Sequence, residues 1–162
     1  MEQSLKPKVT LLFGRICSGK GSYMQEADKR IIVSDVVKSI VNSSNRDALQ
    51  NSLHFDILIA ERILSQIYEY RLQCSNQEPH IVIDGIRQVS IVNTIRVYFP
   101  EAEIVWLEVP TEERKRRYEA RKDVKDVEPF EIADNKPIEL ECQKIFDTFK
   151  ERLTIINNYG TN

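Results

Sequence analysis

Apolar positions along the chain fall into short continuous runs and longer, helically spaced stretches, and the alternation of the two sets the expected architecture. Val9 to Phe13 is a short apolar run ending at Gly14, and a glycine-punctuated stretch leads from it into a helix expected over about Lys20 to Ala27. Ile31 to Val33 is a second, very short run, and Ser34-Asp35 behind it suits the passage from a strand end to a helix N-cap. From Leu49 to Leu72 apolar residues recur at helical spacing (Leu53, Ile57, Ile59, Ala60, Ile63, Leu64, Ile67), which predicts one long amphipathic helix beginning near Leu53. His80 to Ile83, closed by Asp84-Gly85, and Ile104 to Val109, closed by Pro110, read as buried strands with a helix over about Gln88 to Tyr98 between them. Thr111 to Lys122 is a charged helix with Thr111 as N-cap and Glu112 and Glu113 in its first turn. Ile138 to Lys150 is a further helix, Thr154 to Ile156 a last strand, and Asp123 to Pro137, which mixes charges with two prolines, an expected mobile loop.

Strands alternating with helices imply parallel pairing, because parallel neighbours need long crossovers. The expected fold is therefore α/β, a three-layer α/β/α arrangement around a parallel sheet, and a length of 162 residues fits one domain spanning 1–162. Hydrophobic residues make up 41% and charged residues 30%, the balance of a globular chain. A net charge of -2 and a pI near 5.8 remove any bulk electrostatic reason to bind nucleic acid and leave only local basic patches to consider. Cys17, Cys74 and Cys142 are odd in number and follow no CxxC or Cys/His pattern, so they are expected as free thiols in a reducing compartment. No apolar run approaches the roughly 18 residues of a membrane span, and the opening MEQSLKPK lacks the apolar core of a secretory signal. The expectation is a cytoplasmic protein, in the host cytoplasm if viral, with no membrane partner.

The most informative segment is Gly14-Arg15-Ile16-Cys17-Ser18-Gly19-Lys20-Gly21-Ser22, which matches GxxxxGK with Gly-Ser behind the lysine. Placed between a strand and a helix, such a loop aims backbone N–H groups and a positive helix end at a polyphosphate, and its glycines let the backbone approach without an obstructing Cβ. Gly14, Arg15, Cys17, Ser18, Gly19, Lys20, Gly21 and Ser22 are thus expected to bind ATP. Lys20 would reach the β- and γ-phosphates, and the hydroxyl of Ser22 or Ser18 would help organise Mg²⁺. The competing reading is a glycine-rich turn with an exposed lysine.

The ending Gly19-Lys20-Gly21-Ser22 resembles the GKG[ST] variant of nucleoside monophosphate kinases, and His80 to Arg87, HIVIDGIR, is similar to the strand end hhhDGhR of kinases related to dephospho-CoA kinase and adenylate-kinase-like proteins. The resemblance runs in order along nearly the whole chain: Asp35 after the second strand, Arg46 entering the acceptor region, Arg114 to Arg121 at the lid of about 111–137, and Ile155 to Thr161 at the adenine-side loop. It implies a P-loop NTPase fold, ATP and Mg²⁺ as cofactors, and a nucleotide-type acceptor: a nucleoside monophosphate, a deoxynucleotide or a dephospho-CoA-like molecule. Phage kinases of this broad group include ones that phosphorylate hydroxymethylated pyrimidines already in DNA, which brings DNA in as an alternative substrate.

The remaining candidates lie on the acceptor side and in the lid. Asp35, at a strand's C-terminal end, can take a proton from an attacking hydroxyl or place Mg²⁺ through water, against a plain helix-cap role. Asp84 with Gly85 resembles the acidic strand end that orients hydrated Mg²⁺, against a turn-forming pair. Arg87 can bridge an acceptor phosphate or a carboxylate on the Asp35 side, and Arg46 offers a planar fork of donors to the acceptor. His54 and Asp56 read as structural or exposed. At 100° per residue Arg114, Arg117 and Arg121 share one helix face, so their guanidinium groups are expected to converge on the triphosphate, with Arg117 or Arg121 the essential one. Asn157 and Asn158 after the last strand offer amides to an adenine edge. Trp106, Tyr68 and Tyr70 read as packing or surface residues. The function expected is ATP-dependent phosphoryl transfer; simple hydrolysis and a non-catalytic nucleotide-binding regulator are its rivals, and a nucleic-acid-binding module is disfavoured by the net charge.

Overall fold

The structure, a computed structural model, describes residues 6–41, 55–75, 78–123 and 126–159. Five parallel strands form one sheet: β1 (Lys8–Phe13), β2 (Lys29–Ile32), β3 (His80–Asp84), β4 (Glu103–Glu108) and β5 (Leu153–Asn157), in the order β2-β3-β1-β4-β5. The helices are α1 (Val33–Val41), α2 (Asp56–Gln73), α3 (Val89–Tyr98), α4 (Thr111–Arg121), α5 (Phe130–Asp134) and α6 (Pro137–Phe149). No described helix is long and apolar enough to cross a membrane.

The strand order decides what covers each face. The connections β2 to β3, β3 to β4 and β4 to β5 all step in one direction across the sheet, and only β1 to β2 steps back. Right-handed crossovers place the first three on one face and the last on the other. Side chains follow this division: Val9, Leu11, Phe13, Ile81, Ile83, Ile104 and Trp106 meet buried residues of α1, α2, α3 and α6 in one cluster. In α2, Ile59, Ile63 and Ile67 repeat at i, i+4, i+8 and are buried, each contributing roughly 1.5–3 kcal/mol of apolar burial. On the opposite face Leu12, Val82, Val105 and Leu107 are buried beneath Tyr23, Met24 and Ala27 of the β1 to β2 connection, with Ile156 beside them.

That connection corrects an expectation. The helix expected over Lys20 to Ala27 is reduced to a 3₁₀ turn, Lys20–Ser22, followed by turns up to β2. Geometry explains why. The chain must return from the C-terminal end of β1 to the level of Val9, which pairs with Ile81 as Lys29 does, and must also pass over β3. That diagonal is about 18 Å at strand spacings, whereas the nine residues 20–28 would span only about 13 Å as an α-helix. A run of open turns fits; a helix falls short.

Smaller differences concern element ends. β2 is Lys29–Ile32, so Val33 opens α1 and Ser34-Asp35 lies inside its first turn rather than capping it. Pro110, not Thr111, precedes α4 at the cap position. The stretch expected as a loop, Asp123 to Pro137, contains the helix α5, whose Phe130 and Ala133 are buried. Leu53 and His54 lie outside the described residues.

Candidate functional site

The carboxyl end of β1 lies at the middle of the sheet, between β3 and β4, where successive crossovers depart to opposite sides. Open α/β sheets collect ligands at such a switch point. Gly14 to Ser22 leaves β1 there and is closely packed by its own residues. A Cβ on Gly14 would stand 2.2 Å from the Ser18 Oγ and 3.2 Å from the Leu107 carbonyl, so only glycine permits the buried Ser18 to turn inward. Gly19 has φ +87, and a Cβ there would meet the Asn158 Nδ2 at 2.5 Å. Gly21 differs from both, since it has no positive φ and no described atom within 4 Å of its hypothetical Cβ.

Lys20 folds back over the loop. Its Nζ donates to the Gly14 carbonyl at 2.8 Å, the Arg15 carbonyl at 3.3 Å and the Ser18 Oγ at 3.4 Å. Withdrawal from water and, after it, the nearby Arg87 lower its pKa to about 8 against the opposing pull of Glu139, Cys142 and Asp84. The backbone N–H groups of Gly19, Lys20 and Gly21 have no acceptor among the described residues, in contrast to those of Ser18, Ser22 and Tyr23, which donate to Arg15, Gly19 and Lys20 carbonyls. Three successive amides without acceptors beside an ammonium make an electropositive stretch of backbone.

Two carboxylates from the chain's second half brace the loop. Glu139, buried in the first turn of α6, accepts from the Ile16 N–H at 3.1 Å and from Arg87 Nη1 at 2.8 Å, and stands 3.7 Å from Arg15 Nε. Asp134, at the end of α5, binds Arg15 Nη2 at 3.0 Å and takes both Arg114 Nη groups, at 2.5 and 3.2 Å. Arg15 donates also to the Asp134 carbonyl. Cys142 reaches the Gly14 carbonyl through its thiol. Cys17 has φ +61, and burial raises its pKa.

The three arginines expected to converge from α4 take three separate tasks, which corrects that expectation. Arg114 is buried in its pair with Asp134, with further bonds to the Val109 and Ile16 carbonyls. Arg117 alone of the three bonds the glycine loop and the segment after β5 together, donating to the Cys17 carbonyl at 3.3 Å and the Asn158 carbonyl at 2.8 Å, with Glu113 at 3.1 Å behind it. Arg121 turns away to Asp126, at 2.5 and 2.7 Å, and lies over the Tyr118 ring. The helix face is shared, but neighbouring carboxylates choose where each guanidinium points.

Asp84 ends β3 level with Leu12 of β1 and Ile32 of β2. Its Oδ2 is held at 2.8 Å by Arg30, which donates also to the carbonyls of Lys20, at 3.2 Å, and Tyr23. Arg30 had no signal in sequence: its partners lie up to 54 residues away. Asp35 stands on the first turn of α1 with its side chain 65% exposed and Lys38 at 3.6 Å, apart from the loop's contacts. Ser22 is exposed. Asn157 pairs in the strand with Glu108 and points outward, whereas Asn158 donates to the Ser18 carbonyl at 2.9 Å, so the amide that touches the loop is the second of the pair. Arg46 lies outside the described residues. Trp106 is a core residue whose Nε1 donates to Glu108, in line with the packing role expected of it. Among the described residues no three His, Cys, Asp or Glu side chains gather to hold a metal. No protein-family model matches the chain and no curated protein matches it.

Proposed function

We propose that the chain is a P-loop kinase of the nucleoside monophosphate kinase and dephospho-CoA kinase-like group, transferring the γ-phosphate of ATP to a nucleotide-type acceptor. One observation carries this reading. The amides of Gly19, Lys20 and Gly21 lie without acceptors beside the folded-back Lys20 ammonium, at the switch point of a parallel sheet. Such a surface suits an anionic group, a polyphosphate among them. The bare approach to Gly21 adds to it, because no described part of the protein requires a glycine at that position.

In this reading the phosphates displace Lys20 from the Gly14 and Arg15 carbonyls, and its ammonium then follows the charge moving off the γ-phosphoryl group. Arg117, already bridging the loop to the Asn158 carbonyl, is the lid arginine that faces the transferring group. Arg121 is committed to Asp126 and supports the lid instead. Asp35 and Arg87 serve the acceptor, the former taking the proton of the attacking hydroxyl, with Arg46 assigned there by its place in the chain. Mg²⁺ commonly enters with ATP and needs few protein ligands. The exposed Ser22 hydroxyl suits it as a direct ligand, whereas Asp84, neutralised by Arg30, suits a water-mediated role. The ion would supply neutralisation of the β- and γ-oxygens.

The test follows radiolabelled γ-phosphate from ATP into nucleoside monophosphates, dephospho-CoA, and single- and double-stranded DNA with normal or hydroxymethylated bases. Label is expected on one acceptor class, and Lys20→Ala should lower the rate by about 100-fold or more. Label found only in inorganic phosphate would replace this reading with hydrolysis. Tight ATP binding without label release would replace it with a regulatory binder.

A further inference from the structure

One cavity lies behind the glycine loop rather than in it. It has a volume of about 360 Å³, room for a small organic molecule, and sits between the end of β4, the start of α4 and α6. Lys20, Gly21 and Asn158 do not line it. Its walls differ in kind. The Trp106 and Phe146 rings, 5.1 Å apart and edge to face, supply an apolar side, and the Trp106 Nε1 is already committed to Glu108. Arg15 and Gln143 supply a polar one.

Arg15 is the under-bonded group in that wall. Its Nη2 is held by Asp134, but its Nη1 reaches only the Gln143 Oε1, at 3.4 Å, and its buried Nε has no partner. Glu139 stands 3.7 Å from that Nε, too far for a hydrogen bond, and accepts from Arg87 at 2.8 Å instead. Asp134 takes both Arg114 Nη groups as well. Three guanidinium groups, Arg15, Arg87 and Arg114, therefore share two carboxylates, and one positive charge is left over among them. Glu108 also lines the cavity but is exposed and bonds Trp106 rather than any of the three arginines among the described residues. Its charge works against a ligand carrying more than one negative charge.

We propose that this cavity is a binding site for a small aromatic monocarboxylate, with its carboxylate on Arg15 and the Gln143 amide and its ring against Phe146 and Trp106. A single negative charge completes the arginine set, and the Gln143 side-chain NH₂ can donate to the same carboxylate that Arg15 holds. Arg15 is the second residue of the glycine loop, so the occupant acts on the loop from behind, without contact with a nucleotide on Lys20 and Gly21. The site does not depend on phosphoryl transfer.

Trp106 is the chain's only tryptophan, so a single indole N–H resonance reports on the cavity directly. Benzoate, its neutral counterpart benzamide and the doubly charged phenyl phosphate are titrated against the full chain up to about 20 mM, as the weak binding of so small a probe requires. Benzoate should shift the indole resonance saturably, benzamide should bind at least about tenfold more weakly, and phenyl phosphate should also bind more weakly than benzoate. An indole resonance unmoved by benzoate overturns the site, and tighter binding of benzamide or phenyl phosphate overturns the ligand class. Arg15→Met should abolish benzoate binding. Should that variant fail to fold, Gln143→Glu decides, because it sacrifices one long bond and sets a competing carboxylate beside Arg15; a loss of at least about tenfold is expected, and an unchanged affinity sinks the proposal. ATP is added to benzoate-saturated protein as a last arm. An affinity for benzoate that falls without limit as ATP rises would make the cavity part of the nucleotide's own site and end the proposal, whereas a benzoate shift that survives ATP supports it.

Discussion

Lys20 is caught between two demands that titrate in opposite directions. Burial and Arg87 lower its pKa from 10.5 to about 8. Between those values the unfolded chain binds more protons than the folded one, so this residue makes stability rise with pH from about 8 to 10.5. Phosphate attraction runs the other way, because a neutral amine offers no charge. Urea unfolding of wild type against Lys20→Met is therefore expected to show a stability gain above pH 8 that the variant lacks, while ATP affinity of the wild type declines over the same range. Lys20→Arg, which stays charged, should keep its affinity level across that window. The glycines allow a second comparison at this scale. Gly14→Ala forces a Cβ against Ser18 and should lower stability by about 1–3 kcal/mol. Gly21→Ala meets no described atom, so melting should move by no more than about 0.5 kcal/mol while ATP affinity falls, since only an incoming phosphate would meet the new methyl. Equal losses in both variants would remove the argument that Gly21 is kept bare for a ligand.

At the scale of elements, α4, α5 and α6 act as a brace whose strength is concentrated in one carboxylate. Asp134 serves both Arg114 and Arg15, so Asp134→Asn strands two buried or half-buried cations at once. A loss of about 3–5 kcal/mol in urea unfolding is expected, against a smaller loss for the paired change Arg114→Met with Asp134→Leu, where Arg15 alone is left without its carboxylate. Such partnerships also mark the limit of what the chain's pattern reveals. The strands, the long helix and the glycine loop were legible because their signals are local: apolar runs, a 3.6-residue period and glycines at fixed offsets. Glu139, Asp134 and Arg30 were not, since Glu139 meets Ile16 across 123 positions and Arg30 meets Asp84 across 54. The missing helix after Lys20 had a different cause, because nothing in nine residues tells that their chain must cross another strand on its way back. The asparagine pair turned on parity alone: pairing of Glu108 with Asn157 leaves Asn158 as the next residue, free to bend under the loop.

Taken over the whole molecule, the two faces of the sheet are held by unlike means. One is packed by α1, α2, α3 and α6 in a single large cluster, and the other by a short run of turns whose apolar contacts are Tyr23, Met24 and Ala27. That segment lacks an α-helical ladder, and Arg30 supplies part of what a helix would have provided by fixing the Lys20 and Tyr23 carbonyls against Asp84. Its order therefore depends on a few side-chain bonds and on whatever occupies the loop above it. Segments with few internal backbone bonds open at low free energy. Hydrogen–deuterium exchange should find residues 19–28 exchanging much faster than β1 or α2 in the free protein, and slowing markedly with ATP as the Gly19, Lys20 and Gly21 amides gain acceptors. Arg30→Met should speed the free-state exchange of this segment and leave β4 and α3 untouched. Protection appearing on α2 while residues 19–28 stay fast would place the nucleotide elsewhere, and would separate the thin face of the sheet from the chemistry proposed above it.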